Sequence, residues 1–322
     1  MKDKILELML KTDGYISGQS LAEQLGVSRQ AVWKAVSTIK EQGYGILSVP
    51  NKGYRLEALP RSLNKAAVKR GLKTRILGRE IIVLDSVGST NDYLKSLGGE
   101  DCESGTVVAA REQLHGKGRM GRGWSANKDE CLMFSVLLRP QIAPGEVAAV
   151  TPLAGLAVCN ALRKATGLDC RIKWPNDIII GNKKLCGILT EMSAEFDAVE
   201  YVVSGIGVNV AQKEFPEEIA DKATSLAIES GKDFDQNKLF AEILNEMEKV
   251  FTETKLSLES DALNEYISLC TTIGRTVSFR RGSTRLSGTA VDISSGGELR
   301  VMLPDGTICS VNSGEVTVQG IY

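Results

Sequence analysis

The most informative segment of this chain reads Gln113-Leu114-His115-Gly116-Lys117-Gly118-Arg119-Met120-Gly121-Arg122-Gly123-Trp124. Its four glycines are interspersed with three cationic side chains, and a tryptophan ends the run. Glycine maximises backbone freedom, while backbone N–H groups and cationic side chains suit a polyanion such as a nucleotide phosphate. The composition therefore predicts a loop that is mobile when empty and ordered when a phosphate binds. Taken alone, a basic glycine-rich run would favour a solvated surface loop.

Three further motifs set this segment in context. They are Gly88-Ser89-Thr90-Asn91, then Lys173-Trp174-Pro175-Asn176-Asp177 closely followed by Lys183-Lys184-Leu185-Cys186-Gly187, and finally Gly205-Ile206-Gly207-Val208-Asn209. In this order the four motifs resemble those of biotin protein ligases. The glycine loop of that family usually reads Gly-Arg-Gly-Arg-Arg-Gly, so Lys117 keeps the charge at its position and Met120 loses it. Each motif alone is weak, but four over residues 88–209 make the resemblance specific.

The composition is ordinary for a soluble globular protein, with 43% hydrophobic and 25% charged residues among 322. A net charge of −1 gives no global attraction to nucleic acid, so any such contact must come from local patches. The seven cysteines form no C-x-x-C pair and indicate buried, reduced thiols in a cytosolic protein. Near the N-terminus only Ile5–Leu10 is apolar, which is too short for a signal or membrane segment. We therefore expect a cytoplasmic protein without a membrane span.

The chain contains a single histidine, His115, and it lies inside the glycine-rich segment. A Ser-His-Asp triad or a histidine-rich metal site would have to form around this one residue of a glycine-rich loop, so the sequence disfavours both. Any chemistry is therefore expected to depend on electrostatics and positioning rather than on a protein nucleophile.

Residues 1–60 predict a winged helix-turn-helix domain that binds DNA. Ser17 and Ser28 are placed to cap a second and a third helix after a first helix over Lys2–Lys11, and Gly26 to end the second. The third helix turns three apolar residues inward at helical spacing: Val32, Val36 and Ile39. A hairpin with Lys52 at its tip follows as the wing. The alternative is a small helical interaction module.

The outer face of the third helix carries side chains of the types that contact base edges and phosphates in a major groove. The segment has only eight Lys and Arg residues against six Asp and Glu, so this face must supply the attraction locally. The predicted DNA contacts are Ser28, Arg29, Gln30, Lys34, Ser37 and Lys52.

Residues 61–270 predict an α+β domain with a largely antiparallel sheet and helices on one side. The expected strands are Ile81–Leu84, Thr106–Ala110, Cys131–Leu138, Asp169–Lys173, Ile178–Ile180, Leu185–Met192 and Val199–Val210. The expected helices include Gly145–Ala165, with a kink at Pro152, Asn237–Glu253 and Glu259–Cys270. Residues 271–322 predict a small five-stranded barrel from short alternating strands separated by glycine turns.

The resemblance implies more than these patterns do. It implies a central mixed sheet with helices like that of class II aminoacyl-tRNA synthetases and an SH3-like C-terminal domain. It implies that ATP with Mg²⁺ activates biotin as biotinyl-5′-AMP, which is then transferred to a lysine of a biotin carboxyl carrier protein, in acetyl-CoA or pyruvate carboxylase. In members that also repress transcription, the same adenylate would be the corepressor and would promote a homodimer on operator DNA.

The resemblance also assigns site residues. Biotin would be held by Ser89, Thr90, Asn91, Gln113, Lys117, Gly118, Arg119 and Lys184. The nucleotide would be bound by Arg119, Arg122, Trp124, Asn176 and Asn209. The catalytic residues would be Lys184, Arg119 and Lys173, with Lys184 as the cation between the biotin carboxylate and the α-phosphate. Asp177 is the candidate for positioning a metal or the acceptor amine.

Structural roles remain open for several of these residues. Ser89 and Asn91 could simply cap a helix, Trp124 and Trp174 could be core aromatics, and Asp177 could belong to a turn. Three other functions also remain open: a lipoate-type ligase, a ligand-sensing regulator without catalysis, and a ligase that does not bind DNA.

Overall fold

The computed structural model describes residues 1–41, 43–58, 62–98, 102–124, 126–195, 198–312 and 316–322. The chain folds into two compact units, which are Met1–Gly71 with Asp235–Lys238, and Leu72–Phe234 with Leu239–Tyr322. The predicted junction between the first two domains, at residues 60 and 61, lies outside the described residues.

The first unit contains the predicted helix-turn-helix and its wing. Its elements are α1 (Lys2–Lys11), α2 (Gly18–Leu25), α3 (Arg29–Glu41), β1 (Gly45–Val49), β2 (Gly53–Ala58) and α4 (Lys65–Gly71). The Ser17 and Ser28 hydroxyl oxygens accept backbone hydrogen bonds of 3.0 and 3.1 Å from the first turns of α2 and α3. Gly26 ends α2 in the left-handed conformation, with φ of 66°. These caps confirm the helix limits that the sequence predicts, whereas α4 was not predicted.

The second unit is built around a sheet whose strands were largely predicted. Its strands are β3 (Ile81–Leu84), β4 (Val107–Ala110), β5 (Gly116–Lys117), β6 (Gly123–Trp124), β7 (Cys131–Leu138), β8 (Arg171–Lys173), β9 (Asp177–Ile180), β10 (Lys183–Glu195) and β11 (Ala198–Asn209). Seven of them pair in the order β3-β4-β7-β11-β10-β9-β8, and β5 pairs with β6 in a separate hairpin. Only β3 and β4 run parallel, so the sheet is largely antiparallel, as predicted.

Helices cover both faces of this sheet, so the expectation of helices on one side was wrong. The helices are α5 (Thr90–Gly98), α6 (Val150–Thr166), α7 (Leu226–Ser230), α8 (Gln236–Thr254) and α9 (Ser260–Leu269). Leu94 of α5 packs with Leu137 of β7, whereas Phe240 of α8 contacts Phe134 of β7 at 4.6 Å between ring centroids. Because neighbouring residues of a strand point to opposite faces, α5 and α8 lie on opposite sides. The sequence of β7, which is apolar at every position except Ser135 and buried at all eight, is the signal for this two-sided cover.

The long apolar helix also differs in detail from the prediction. Residues Pro144–Ala149 form a 3₁₀ helix, and the α-helix α6 begins only at Val150. Pro152 lies in the first turn of α6, where its missing N–H has no intrahelical partner to lose. The expected kink at Pro152 is therefore replaced by the 3₁₀-to-α junction before it. Pro144–Thr166 is the one described helix long and apolar enough to cross a membrane, but 72% of its most apolar window is buried inside the fold.

The C-terminal part of the second unit is a five-stranded antiparallel sheet, in the segment where the sequence predicts a small five-stranded barrel. Its strands are β12 (Thr276–Arg281), β13 (Thr284–Ile293), β14 (Leu299–Met302), β15 (Ile308–Val311) and β16 (Thr317–Val318). They pair in the order β15-β14-β13-β12-β16. Trp174 connects this sheet to the central one, because its buried indole donates a 2.9 Å hydrogen bond to the Gly297 carbonyl. Trp174 is thus a core aromatic, one of the two roles considered for it.

Candidate active site

A cleft of about 470 Å³ opens on the α5 side of the central sheet. It is lined by Ser89, Thr90, Asn91, Gln113, Lys117, Gly118, Arg119, Trp124, Asn176, Lys184, Gly187, Ile188, Leu189, Gly205, Ile206 and Gly207. All eight residues expected to hold biotin are in this set, although they come from α5, the segment after β4, the β5–β6 hairpin and β10. Three of the four sequence motifs thus meet the fourth, the glycine hairpin, at one place.

The floor of the cleft is made by glycines on neighbouring strands. Gly187 of β10 lies directly opposite Gly207 of β11, and Gly205 is two residues further along β11. A Cβ atom at Gly207 would lie 2.7 Å from the Trp124 ring, and one at Gly205 would lie 2.1 Å from the Asn91 Oδ1 atom. The Gly205-x-Gly207 motif is therefore required by the close approach of Trp124 and Asn91 to the backbone.

The wall at the N-terminus of α5 is a network of hydrogen bonds. The Ser89 hydroxyl caps the helix by accepting from the Asp92 N–H at 3.4 Å. The Gln113 Oε1 atom accepts from the Thr90 N–H at 2.7 Å and from its hydroxyl at 3.1 Å. Asn91 accepts from the Ser135 hydroxyl at 2.6 Å and donates to Glu191 at 2.7 Å. Capping and cleft formation are thus combined in one segment, and Ser135 and Glu191 are supporting residues that the sequence analysis missed.

The glycine-rich segment forms a short hairpin over the cleft, here called the glycine hairpin (residues 116–124). Its strands β5 and β6 pair, and the Gly118 N–H donates to the Arg122 carbonyl at 2.7 Å. Met120 at the tip has φ of 57° and is 68% exposed. Two cations anchor the hairpin to the rest of the site. Lys117 pairs with Asp92 of α5 at 2.6 Å, and Arg119 donates to Asn176 at 3.2 Å.

The pKa values of Asp92 and Arg119 are shifted by their surroundings. Hydrogen bonding to Lys117 lowers the pKa of Asp92, with Lys95 contributing in the same direction. Burial lowers the pKa of Arg119, partly opposed by the charge of Asp177. A half-buried guanidinium that is bonded to a neutral amide gains from an incoming anion. Arg119 is therefore suited to hold a phosphate or carboxylate in the cleft.

Lys184 enters the cleft beside the glycine floor, paired with a carboxylate. Its ammonium lies 2.6 Å from the Asp177 Oδ1 atom and 5.7 Å from the centroid of the Trp124 ring. The Asp177 side chain is only 13% exposed, and its second oxygen accepts a hydrogen bond from the hydroxyl of Tyr322. The ring of Tyr322 in turn lies 3.7 Å from the Lys173 ammonium. The sequence analysis did not identify Tyr322, because its partners are about 150 residues away in the chain.

Several candidate residues lie outside the cleft lining. Asn209 is buried, and its side chain bonds to Cys131, Gln212 and the Thr224 carbonyl, so it supports the site from below. Lys173 lies beneath Tyr322, and Arg122 is exposed on the glycine hairpin. The two carboxylate oxygens of Asp177 contact Lys184 and Tyr322, and its role in positioning a metal or the acceptor amine stays a prediction. Within the described part of the chain, no group of three or more His, Cys, Asp or Glu side chains could hold a metal ion.

The seven cysteines are free thiols, and six of them are buried, as predicted. Burial raises the pKa of Cys131 and of Cys170 to about 12. A thiol with such a pKa is protonated at neutral pH and is a poor nucleophile. Neither thiol lines the cleft, so neither is a candidate nucleophile there.

The candidate DNA-binding face of the first unit is exposed on α3. Arg29, Gln30 and Lys34 are exposed there, and Ser37 is half-buried. Lys52 is exposed at the wing, with its ammonium 5.9 Å from the Tyr15 ring centroid. Ser28 serves first as the cap of α3. The sequence analysis missed Trp33, which lies on α3 and is 60% exposed.

Comparison with known proteins agrees with this architecture. Family models match successive segments: an HTH domain over residues 2–55, the biotin/lipoate A/B protein ligase family over residues 83–209, and the biotin protein ligase C-terminal domain over residues 272–318. The bifunctional ligase/repressor BirA of Bacillus subtilis is 39% identical over 274 residues, covering 82% of this chain and 84% of its own. BirA of Escherichia coli is 30% identical over 327 residues, covering 99% of each chain.

A solved structure extends the similarity to three dimensions. The biotin protein ligase from Aquifex aeolicus in complex with biotin and ATP superposes with a TM-score of 0.64 at 30% identity, over 75% of this chain and 99% of its own. The α+β fold class with its helix-turn-helix, ligase and C-terminal domains is thereby confirmed. By sequence, domain order and fold, this chain belongs to the biotin protein ligase family, among the members that carry an N-terminal helix-turn-helix domain.

Proposed function

We propose that this chain uses ATP to form biotinyl-5′-AMP and then transfers biotin to a lysine of a biotin carboxyl carrier protein. One observation carries the proposal. The residues expected to hold biotin, which include Arg119 and Lys184 and are spread over residues 89–184, line a single cleft. A cleft with a flat glycine floor, a polar wall and three cationic residues fits a ligand with a polar ring, an apolar chain and a carboxylate.

In the first step, an oxygen of the biotin carboxylate attacks the α-phosphorus of ATP, and the bond from that phosphorus to pyrophosphate breaks. Two anions must come together, so nearby cations supply most of the lowering of the barrier. Lys184 would leave Asp177 for the incoming anions, and Arg119 would neutralise charge from the glycine hairpin. Lys173, Arg122, Trp124, Asn176 and Asn209 are proposed to support the nucleotide, the last from beneath the cleft.

In the second step, the acceptor lysine amine attacks the acyl carbon of biotinyl-5′-AMP, and the bond from that carbon to the AMP oxygen breaks. The lysine ammonium must lose one proton to become a nucleophilic amine, and a second proton leaves the nitrogen as the amide forms and AMP departs. Asp177 is the carboxylate that becomes available once Lys184 turns to the adenylate, so it is suited to hold the incoming amine. Mg²⁺ is proposed to arrive with the ATP phosphates rather than to be held by Asp177, and it would neutralise phosphate charge.

Ligation is tested by incubating the purified protein with biotin, MgATP and a carrier domain, with detection of biotinylated carrier by mass spectrometry. A parallel reaction with lipoate separates the two activities covered by the family model. The proposal expects biotinylated carrier and release of AMP and pyrophosphate. Modification of the carrier by lipoate but not by biotin would assign the chain to the lipoate-type ligases.

We also propose that the protein is a biotin-responsive transcriptional repressor with biotinyl-5′-AMP as corepressor. One helix-turn-helix makes few contacts, so a homodimer on a two-fold operator would be needed for tight binding. The segment 199–210 and the glycine hairpin are the proposed partner surface. Sedimentation velocity and operator binding, each measured with and without biotin and MgATP, test this. A monomer–dimer constant and an operator affinity that are both unchanged by these ligands would contradict the role.

The proposed domain limits are residues 1–60, 61–270 and 271–322. Deletion of residues 1–60 is expected to remove DNA binding and to spare ligation. A cytoplasmic location belongs to the same proposal, because the carrier protein and the operator DNA must both be within reach.

A further inference from the structure

The segment Thr317–Tyr322 is fixed to the C-terminal sheet by contacts that determine where Tyr322 lies. Val318 pairs with Val277 of β12, and the Gln319 N–H donates to the Thr276 carbonyl at 3.0 Å. Ile321 is 3% exposed and so anchors the segment by an apolar contact. The position of the Tyr322 side chain is therefore set by the C-terminal sheet, although that side chain reaches residues of the central sheet.

Tyr322 contacts two charged residues on neighbouring strands of the central sheet. Its hydroxyl donates to Asp177 of β9, and its ring lies against the ammonium of Lys173 of β8. Lys173 and Asp177 are direct partners in the β8–β9 pairing. Burial and the charge of Asp177 raise the pKa of Tyr322, so this hydroxyl remains a donor throughout the neutral pH range.

The carboxylate of Asp177 is thus shared between an ion-pair partner and a hydrogen-bond donor from different parts of the fold. Lys184 pairs with its Oδ1 atom at 2.6 Å, and Tyr322 bonds to its Oδ2 atom. If Lys184 leaves to meet an anion in the cleft, the buried carboxylate loses its cation. An ionised carboxylate that retains no hydrogen bond in such a place is strongly destabilised.

We propose that Tyr322 is a positioning residue that satisfies Asp177 and thereby allows Lys184 to leave its ion pair for an anion in the cleft. The inference rests on the proposed ligase function, in which that anion is the biotin carboxylate and the α-phosphate. It assigns the C-terminal domain a part in catalysis that acts through Asp177 rather than by contact with substrate. Without the hydroxyl, Asp177 holds Lys184 more tightly and the cleft captures its anions less well.

A double-mutant cycle between Tyr322→Phe and Asp177→Asn tests this coupling. Phenylalanine keeps the ring against Lys173 and removes only the hydroxyl. One hydrogen bond to a charged group corresponds to about a tenfold effect or more, so Tyr322→Phe should lower kcat/KM for ATP in adenylate formation by about tenfold. In the Asp177→Asn background the same change should have less than about a twofold effect. Tyr15→Phe is the matched control, because it removes a hydroxyl from the first unit and should leave adenylation unchanged.

An equal loss from Tyr322→Phe in both backgrounds would overturn the inference, since it would reflect a structural role independent of Asp177. Calorimetric binding of inorganic pyrophosphate gives a readout that does not require biotin. The coupling is supported if Tyr322→Phe weakens pyrophosphate binding in the wild-type background and has no effect on it in the Asp177→Asn background. This support holds even if the wild-type protein makes no biotinyl-5′-AMP. Failure to make biotinyl-5′-AMP would refute the proposed ligase function but not the coupling. Unchanged pyrophosphate binding together with unchanged adenylation in Tyr322→Phe would refute the coupling.

Discussion

Adding one methyl group at Gly205 tests the geometry of the cleft floor. The Cβ atom of Gly205→Ala would lie 2.1 Å from the Oδ1 atom and 2.8 Å from the Cγ atom of Asn91. Both distances are far below van der Waals contact, so Asn91 must move. Asn91 cannot move freely, because it accepts from Ser135 at 2.6 Å and donates to Glu191 at 2.7 Å.

The expected magnitude follows from the two bonds. Loss of the neutral bond to Ser135 removes about 1 kcal/mol, and loss of the charge-assisted bond to Glu191 removes about 1.5–3 kcal/mol. The Glu191 side chain is 30% exposed, so water replaces part of that bond and the lower end of the range applies. The free energy of unfolding should therefore fall by about 2–3 kcal/mol. Biotin affinity should fall by about tenfold or more, since Asn91 is also a proposed biotin contact.

Urea unfolding and biotin calorimetry measure the two effects separately. Gly155→Ala is the matched control, because its Cβ atom would meet nothing closer than 3.9 Å and alanine gains about 1 kcal/mol of helix propensity in α6. The control should be at least as stable as wild type and bind biotin equally well. A Gly205→Ala protein with wild-type stability and wild-type biotin affinity would refute the placement of Asn91 against the floor.

Three other predictions concern charge. Lys184→Ala should nearly abolish biotinyl-5′-AMP formation in a folded protein, and a double-digit percentage of wild-type turnover would exclude Lys184 as the central cation. The lowered pKa of Asp92 means that its pair with Lys117 contributes stability above the unfolded carboxyl pKa and loses it as pH falls through the folded one. Pepsin, which is active in acid, should therefore cut the glycine hairpin faster below about pH 4 than just above it. At neutral pH, biotin with MgATP should slow the cutting of the same hairpin by trypsin. Arg29→Ala or Lys34→Ala should weaken operator binding in gel shifts and lower the salt slope by about one ion each, and unchanged affinity for both would contradict the assignment of α3.

Local signals in the sequence predicted the helices and strands well where capping or periodicity was strong. Ser17, Gly26 and Ser28 mark the helix ends that the structure contains, and the apolar run Cys131–Leu138 is a strand over its full length. The helix α4 was missed although Asn64 caps it, since its Oδ1 atom accepts from the Ala67 N–H at 2.9 Å. A short helix with one buried apolar residue, Val68, leaves no periodic pattern to detect.

The candidate site was predicted as a set of residues but not as a set of contacts. Motifs identified the lining of the cleft, because each motif keeps its residues together in the chain. The partners of those residues were not predictable, since Ser135, Glu191 and Tyr322 reach the site only through strand pairing. The ion pair between Lys184 and Asp177 was likewise not predictable from the sequence, because it depends on strand pairing. A bulge in β10 and the register of β9 against β10 bring the two side chains together.

The glycine floor determines where the shape of the ligand space can change. Gly187 and Gly207 have no side chains to shorten, and the ring of Trp124 lies against both. Larger residues at Gly187 or Gly207 would displace the Trp124 ring, so no substitution on the floor can enlarge the cleft. A smaller residue in place of Trp124 would instead uncover a side-chain-free trough along two strands. Substitution of Trp124 by a smaller residue is therefore the first change to make when the cleft is to accept bulkier nucleotide or biotin analogues.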